Sequence, residues 1–339
     1  MKRYGYLWKD IIDFDNLIRA HYNARRGKTW YTEVKMVDSD PCYYIDKIYN
    51  MLAGKTYSVS PYEVFVRNDT GKERIISKLP YYPDRIIQWA LIQVIEPIFM
   101  RTFITDTYSA IPGRGIHFGL NRLHNAMKNR EATKYCLKLD VKKYYQSIPH
   151  GLLKNSLRKL FKDTDLLWFL DLTIDSTEGN VGIPIGNYTS QYFGNFYLSG
   201  LDHYVKENKD HAFYARYMDD IIVFHHNKKY LHYLRKEIEW YLADKLGLKM
   251  KENWQIFPTF VRGVDFLGYR SFGDYTLLRK ATANRFKSKM TAIINHEHIG
   301  VEKENCVASY GGWLKWCDSH RLQEKYLVPA KGVLYADYT

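Results

Sequence analysis

Two adjacent carboxylates, Asp219 and Asp220, lie in the string YMDD at 217–220, between the apolar runs ARY and IIVF. Apolar, β-branched stretches around so short a polar string predict a β-hairpin, with both aspartates at its tip, exposed by the turn and held by the strands. Aspartate favours turns in any case, so the pair alone has a plain structural explanation. A third carboxylate changes the weighing. Asp140 ends the strand-like string CLKLD, and two strands side by side in one sheet could bring it to Asp219. Carboxylates so gathered repel one another unless cations neutralise them, and their hard oxygens suit Mg2+, with Mn2+ as a substitute. Two such ions at one site support in-line phosphoryl transfer.

Those carboxylates need rigid supports, and the rest of the chain supplies a series of short elements. Residues 1–60 have a helical, basic pattern interrupted by the turn-like HYNARRGKTW. YEVFVRNDTGKERIISK at 62–78 predicts a β-hairpin around Asn-Asp-Thr-Gly. A long amphipathic helix is expected from Pro83 to Phe103, then the Gly-rich loop AIPGRGIHFG and a basic helix to Arg130. After the strand ending on Asp140 come the helix IPHGLLKNSLRKLF and a loop and helix in VGIPIGNYTSQYFGNFYLSGLDHYV. The YMDD hairpin, a helix over 228–246, a short hairpin in FVRGVDFLGYRSF and a basic helical tail from about 280 complete the order. Helices mixed with antiparallel hairpins, without repeats or low-complexity linkers, give an α+β class.

Composition narrows the partners. The chain of 339 residues carries a formal net charge of +13, which favours a polyanion, because Lys and Arg beside phosphates release condensed counterions. Some of its 30 tyrosines stand among basic residues, where rings suit stacking on bases, although most are expected to be ordinary core and surface residues. Cys42, Cys136, Cys306 and Cys317 form no CxxC pair and no zinc spacing, as expected for reduced thiols in a cytoplasmic protein. The N-terminal string has no apolar signal core, and QWALIQVIEPIFM is too short and too interrupted to span a bilayer, so no membrane partner is expected.

LKLDVKKYYQSIP, IPIGNYTSQYFGN, YMDD and GVDFLGY stand in the order and spacing of the palm motifs of reverse transcriptases, and the likeness extends from about residue 60 to 320. Four ordered motifs make a specific signal where any one would be weak. The resemblance implies a right-hand polymerase fold: an N-terminal helical region over 1–60, fingers over 61–130, a palm of antiparallel sheet plus helices over 131–275, and a helical thumb and tail over 276–339. It implies an RNA-directed DNA polymerase that takes template RNA, a cDNA or primer strand and dNTPs. Asp140 and Asp219 match the two principal metal ligands, Val141 a backbone-carbonyl ligand, and Asp220 the third carboxylate. Tyr145 matches the aromatic gate that stacks beneath the incoming sugar and excludes a 2′-hydroxyl. Arg67 and Arg74, with Lys72 a further candidate, match fingers residues that close over the triphosphate. Phe266, Leu267 and Gly268 match the primer grip, and Lys249 and Lys251 are both candidates for the acid that protonates pyrophosphate.

One loop departs from the common pattern. Most reverse transcriptases carry Gln-Gly…Ser-Pro where this chain has Ile185, Gly186, Ser190 and Gln191. This IGxxxSQ string resembles reverse transcriptases of diversity-generating retroelements, as do NWQIFP, LLRK and SYGGWLKW. Ile185, Gly186 and Gln191 are therefore expected at the nucleotide, with Ile185 giving bulk but no hydrogen bond, so that copying is error-prone at template adenines. That resemblance also implies mutagenic retrohoming with a structured template RNA and an accessory variability determinant protein. The chain stops soon after the basic region 280–325, which adds to the expectation of partners. Two alternatives stay open: a reverse transcriptase of an antiphage defence system, separable by gene neighbourhood, and an idle RNA-binding protein on a polymerase fold.

Overall fold

The computed structural model describes residues 3–69, 72–299 and 302–336. The chain divides into two compact units, each assembled from three stretches. The first comprises Met1–Ala110, Asp140–Lys209 and Lys236–Glu252; the second comprises Ile111–Leu139, Asp210–Arg235 and Asn253–Thr339.

In the first unit, helix Phe14–Ala24 starts where the Asp13 carboxylate accepts the Asn16 N–H, and helix Pro41–Ala53 where the Asp40 carboxylate accepts the Tyr43 N–H. Each cap satisfies an N–H that has no partner within its helix. Strands β1 (Glu63–Asp69) and β2 (Lys72–Lys78) pair antiparallel as expected, although Thr70 and Gly71 of the anticipated turn, and the side chain of Lys72, lie outside the described residues. Helix Ile86–Thr102 is not amphipathic. Ile86, Ile87, Gln88, Ala90, Leu91, Ile92, Ile95, Ile98 and Phe99 are buried round most of its circumference, because helices Phe14–Ala24 and Tyr188–Tyr197 both pack on it. Polar side chains fix those contacts: Asn16 Nδ2 donates to the carbonyls of Ile11 and Ala90, and Gln88 Oε1 accepts the Tyr188 N–H at 2.9 Å. The two-residue strand β3 (Thr107–Tyr108) and helices His150–Leu160 and Thr164–Ile174 also belong to this unit.

The second unit is built on strands β4 (Tyr135–Asp140, whose last residue falls in the first unit), β5 (Phe213–Tyr217), β6 (Asp220–His225) and β7 (Gln255–Pro258), in the order β5-β6-β4-β7. The pairs β5–β6 and β4–β7 are antiparallel. Ala215, Ile221, Ile222, Val223, Phe224, Cys136, Leu137 and Leu139 are all but inaccessible, so β4, β5 and β6 are core strands and read as apolar runs. A second sheet is the meander β8 (Val264–Phe266), β9 (Tyr269–Ser271) and β10 (Thr276–Leu278). The basic tail folds as helices, among them Lys280–Ile294 and Lys303–Leu314, with Phe286 in ring contact with Tyr310 and Tyr326. Among the described residues no helix is long and apolar enough to cross a membrane.

Candidate active site

The YMDD string forms a hairpin with a two-residue connection: Tyr217 pairs with Asp220, leaving Met218 and Asp219 as the turn. Met218 has φ 54°, a left-handed value uncommon outside glycine. Arg216, fully buried on β5, donates from its guanidinium to the Met218 carbonyl at 2.9 Å, and this bond helps to hold the turn. Asp219 and Asp220 are half-buried. The Asp220 carboxylate lies 3.2 Å from the ammonium of Lys138, a residue of β4.

Asp140 ends β4. Its backbone carbonyl accepts the Lys251 N–H at 2.8 Å, and the Lys142 N–H donates to the Lys249 carbonyl at 2.7 Å. Between those bonds Val141 is paired with Met250, which turns the Val141 peptide groups away from that neighbour. The same pairing brings the Lys251 ammonium to 2.6 Å from Asp140 Oδ2, while Oδ1 is buried and meets no hydrogen-bond donor among the described residues. Lys249 is exposed, so of the two candidate lysines Lys251 is the one in contact with Asp140.

Tyr145 lies in the short helical turn Tyr144–Ser147. Its ring packs on helix Tyr188–Tyr197 at Gly194, where a Cβ would stand 3.2 Å from the Tyr145 hydroxyl oxygen. Tyr144 donates its hydroxyl to the Gly194 carbonyl, and its ring meets that of Tyr145 edge-on at 5.4 Å. The loop before that helix is tied down at several points. Ile183 N–H donates to the Tyr145 carbonyl at 2.9 Å, and the buried His150 ring sits 2.6 Å from the Gly182 carbonyl. The Ser77 N–H of β2 donates to the Ile185 carbonyl at 2.8 Å. Gly186 follows with φ +126°, and a Cβ there would come within 2.7 Å of the Ser77 carbonyl oxygen. Ile185 lines a cleft of about 190 Å³ with Ile75, Ser77, Gln146, Ile183 and Pro184, whereas Gln191 is exposed on its helix.

Arg67 and Arg74 are exposed and directly opposite each other across β1 and β2. Directly opposite positions share one face of the hairpin, so both guanidinium groups stand on the same side of it. In the β8–β9 hairpin, Leu267 and Gly268 form the turn with φ 56° and 86°. The side chains of Phe266 and Leu267 are buried, so neither is open to a ligand. Gly268 is required there, since a Cβ would stand 2.6 Å from the Trp313 ring.

Among the described residues no group of three His, Cys, Asp or Glu side chains is arranged to hold a metal ion; Asp140 and Asp220 have lysine ammoniums beside them instead. The donor chemistry nevertheless suits a hard cation, with carboxylate oxygens that already attract positive charge and a buried Asp140 Oδ1 lacking a donor. Lys138 and Arg216 are absent from the sequence-derived site. The available signal was charge at the centre of apolar strands: Lys138 occupies the position two before Asp140, and successive alternate residues share a face. Cys136, fully buried, has its thiol pushed up by desolvation and offers no nucleophile.

A family model described as reverse transcriptase (RNA-dependent DNA polymerase) matches residues 66–271. The chain is similar to Protein YkfC of Escherichia coli K12, with 23% identity over 303 residues, covering 74% of this chain and 79% of that protein. An uncharacterized 91 kDa protein in the cob intron of Schizosaccharomyces pombe is 25% identical over 280 residues, covering 76% of this chain and 33% of that protein. Among solved structures, telomerase from Candida albicans, in complex with a telomeric RNA fragment, aligns with a TM-score of 0.51 and 10% identity over 82% of this chain. Apo telomerase from Candida tropicalis aligns with a TM-score of 0.50 and 13% identity over 70%. The chain spans 55% and 51% of those telomerase chains, and the likeness shows the right-hand polymerase fold alone. With the family model matching well over half of its length, the chain belongs to the reverse transcriptase (RNA-dependent DNA polymerase) family.

Proposed function

We propose that this RNA-directed DNA polymerase builds its catalytic centre from Asp140, Asp219 and Asp220 and copies template RNA into cDNA with low fidelity at adenines. The support for the centre is the strand order. β4, which ends on Asp140, lies beside β6, which begins on Asp220, and Lys138 on β4 is already at 3.2 Å from Asp220. The three carboxylates, with the Val141 carbonyl, would hold two Mg2+ ions. Bound there, the metal supplies activation of the primer 3′-oxygen and neutralisation of the leaving pyrophosphate. The primer oxygen forms a bond to the α-phosphorus as the bond to pyrophosphate breaks, and Lys251, with Lys249 the alternative, gives the departing oxygen its proton. Tyr145 supports the incoming sugar and excludes a 2′-hydroxyl, Arg67 and Arg74 neutralise the triphosphate, and the 266–268 turn holds the primer.

The observation that carries the low-fidelity reading is Ile185. It lines the cleft beside Gln146 and Ile75 with an apolar side chain in a loop where most relatives of this type place a glutamine, so the side chain at position 185 offers no hydrogen bond to check the nascent pair. Such copying serves diversification of a target gene, with a structured template RNA and an accessory variability determinant as partners; the charge of +13 suits the RNA. A second context, copying the RNA of an intron-like element, is favoured by the relative named for the cob intron. The test of the first is Ile185→Gln in a template-copying assay with product sequencing. Misincorporation opposite adenine should fall about tenfold, the discrimination one hydrogen bond can add. An error spectrum identical to that of the wild type would remove the reason for assigning mutagenic copying.

A further inference from the structure

Lys138 lies at the middle of β4 with its side chain only 25% exposed, and a cation so placed needs partners. Its ammonium stands 3.2 Å from Asp220 Oδ2 and also donates to the Asp265 carbonyl. These two acceptors belong to different hairpins: Asp220 opens β6, and Asp265 is the central residue of β8. The tie continues past Asp265. Its carboxylate accepts from Arg279 Nε at 2.6 Å, and the Arg279 backbone N–H donates to the Gly268 carbonyl at 3.0 Å. The left-handed turn Leu267–Gly268 is thus linked through Arg279, Asp265 and Lys138 to the carboxylate that follows the Met218–Asp219 turn.

We propose that Lys138 is a positioning residue that fixes the spacing between the carboxylate hairpin β5–β6 and the hairpin β8–β9. The inference rests on the reading that Asp220 serves the catalytic centre and that the 266–268 turn holds the primer. An ammonium carries three donors and no acceptor, so it can serve a carboxylate and a carbonyl together. Were a cation to neutralise part of the charge on Asp220, the bond from Lys138 to the Asp265 carbonyl would still hold β8 to β4. Arginine in its place keeps the charge, but its longer planar fork cannot reproduce the same two contacts. Methionine keeps length and apolar bulk and removes every donor.

The test compares the wild type with Lys138→Met and Lys138→Arg in the full chain. Amide hydrogen exchange is followed in peptides covering 264–271, and steady-state kinetics are measured with varied primer–template and varied dNTP. Lys138→Met should accelerate exchange in 264–271 and raise the primer–template KM about tenfold, as expected for one charged hydrogen bond, with the dNTP KM little changed. Lys138→Arg should restore part of both. Wild-type exchange in 264–271 together with a wild-type primer–template KM for Lys138→Met would overturn the proposal. So would faster exchange throughout the chain with a lower Tm, which marks a merely structural residue. A wild-type protein that extends no primer refutes the polymerase site instead, and the exchange comparison still decides whether Lys138 makes the tie.

Discussion

Gly186→Ala is the substitution whose cost follows most directly from the geometry. Gly186 has φ +126°, where an L side chain is strained whatever the space, and a Cβ would lie 2.7 Å from the Ser77 carbonyl oxygen. Strain of this kind costs about 1–3 kcal/mol. Relief of the contact with Ser77 further requires β2 to retreat from the loop, which forfeits the 2.8 Å bond from Ser77 N–H to the Ile185 carbonyl, about 1 kcal/mol more. The hairpin has little core of its own to resist that retreat, since Val64, Val66 and Ile75 are 61%, 60% and 51% exposed. Alanine should therefore detach the hairpin that carries Arg67 and Arg74 from the loop that carries Ile185. The expected result in single-nucleotide incorporation is a dNTP KM raised about tenfold or more, since each 1.4 kcal/mol against the docked form is a factor of ten. The turnover at saturating dNTP should be largely retained. Gly151→Ala is the control, because a Cβ there meets nothing within 4 Å and the residue is helical. It should leave the KM unchanged and raise the Tm slightly. A Gly186→Ala protein with wild-type Tm and wild-type dNTP KM would refute the reasoning.

Two further outcomes are expected. Tyr145→Ala, which empties the ring from its seat on Gly194, should increase rNTP incorporation relative to dNTP by tenfold or more on the proposed gate role, about 1.4 kcal/mol of discrimination; an unchanged ratio in competition assays speaks against the gate. The second concerns pH. The His21 ring is buried, 2.9 Å from Asp38 and 2.7 Å from the Tyr81 hydroxyl, and burial lowers its pKa against the raising effect of Asp38. A histidine with a lowered folded pKa contributes stability that is present above its unfolded value of 6.5 and is lost as pH falls below it, by at most about 1.4 kcal/mol per pH unit. The Tm should drop between pH 6.5 and 5, and less steeply in His21→Gln; His117 and His124, lowered for the same reason, keep some slope in both proteins. Parallel curves for the two proteins would show that His21 does not carry the dependence.

What could be foreseen in the sequence was local. The YMDD hairpin, the strand ending on Asp140 and helix Lys228–Leu246 are written in short-range periodicity, and each forms where the pattern put it. Helix Ile86–Thr102 departs from the expected amphipathic pattern because two helices cover it from different sides, which its local sequence does not encode. Phe266 and Leu267 look like available side chains in GVDFLGY, yet the tight turn folds them inward. The roles of Lys138 and Arg216 are not legible in the sequence for the complementary reason: their partners, Asp220 and the Met218 carbonyl, become neighbours only through strand pairing and turn shape. Likewise, only pairing separated Lys251 from Lys249, since both sit in one short polar string.

The claim on which the account depends is that Asp140, Asp219 and Asp220 act as one cation-dependent centre. Primer extension on an RNA template with Mg2+, comparing the wild type with Asp140→Asn and Asp219→Asn, tests it most directly. Each amide keeps the size of the side chain and removes its charge. Either variant should lose about a thousandfold or more in extension rate, roughly 4 kcal/mol of transition-state stabilisation, while still binding the primer–template. Extension by either variant within tenfold of the wild type would contradict it.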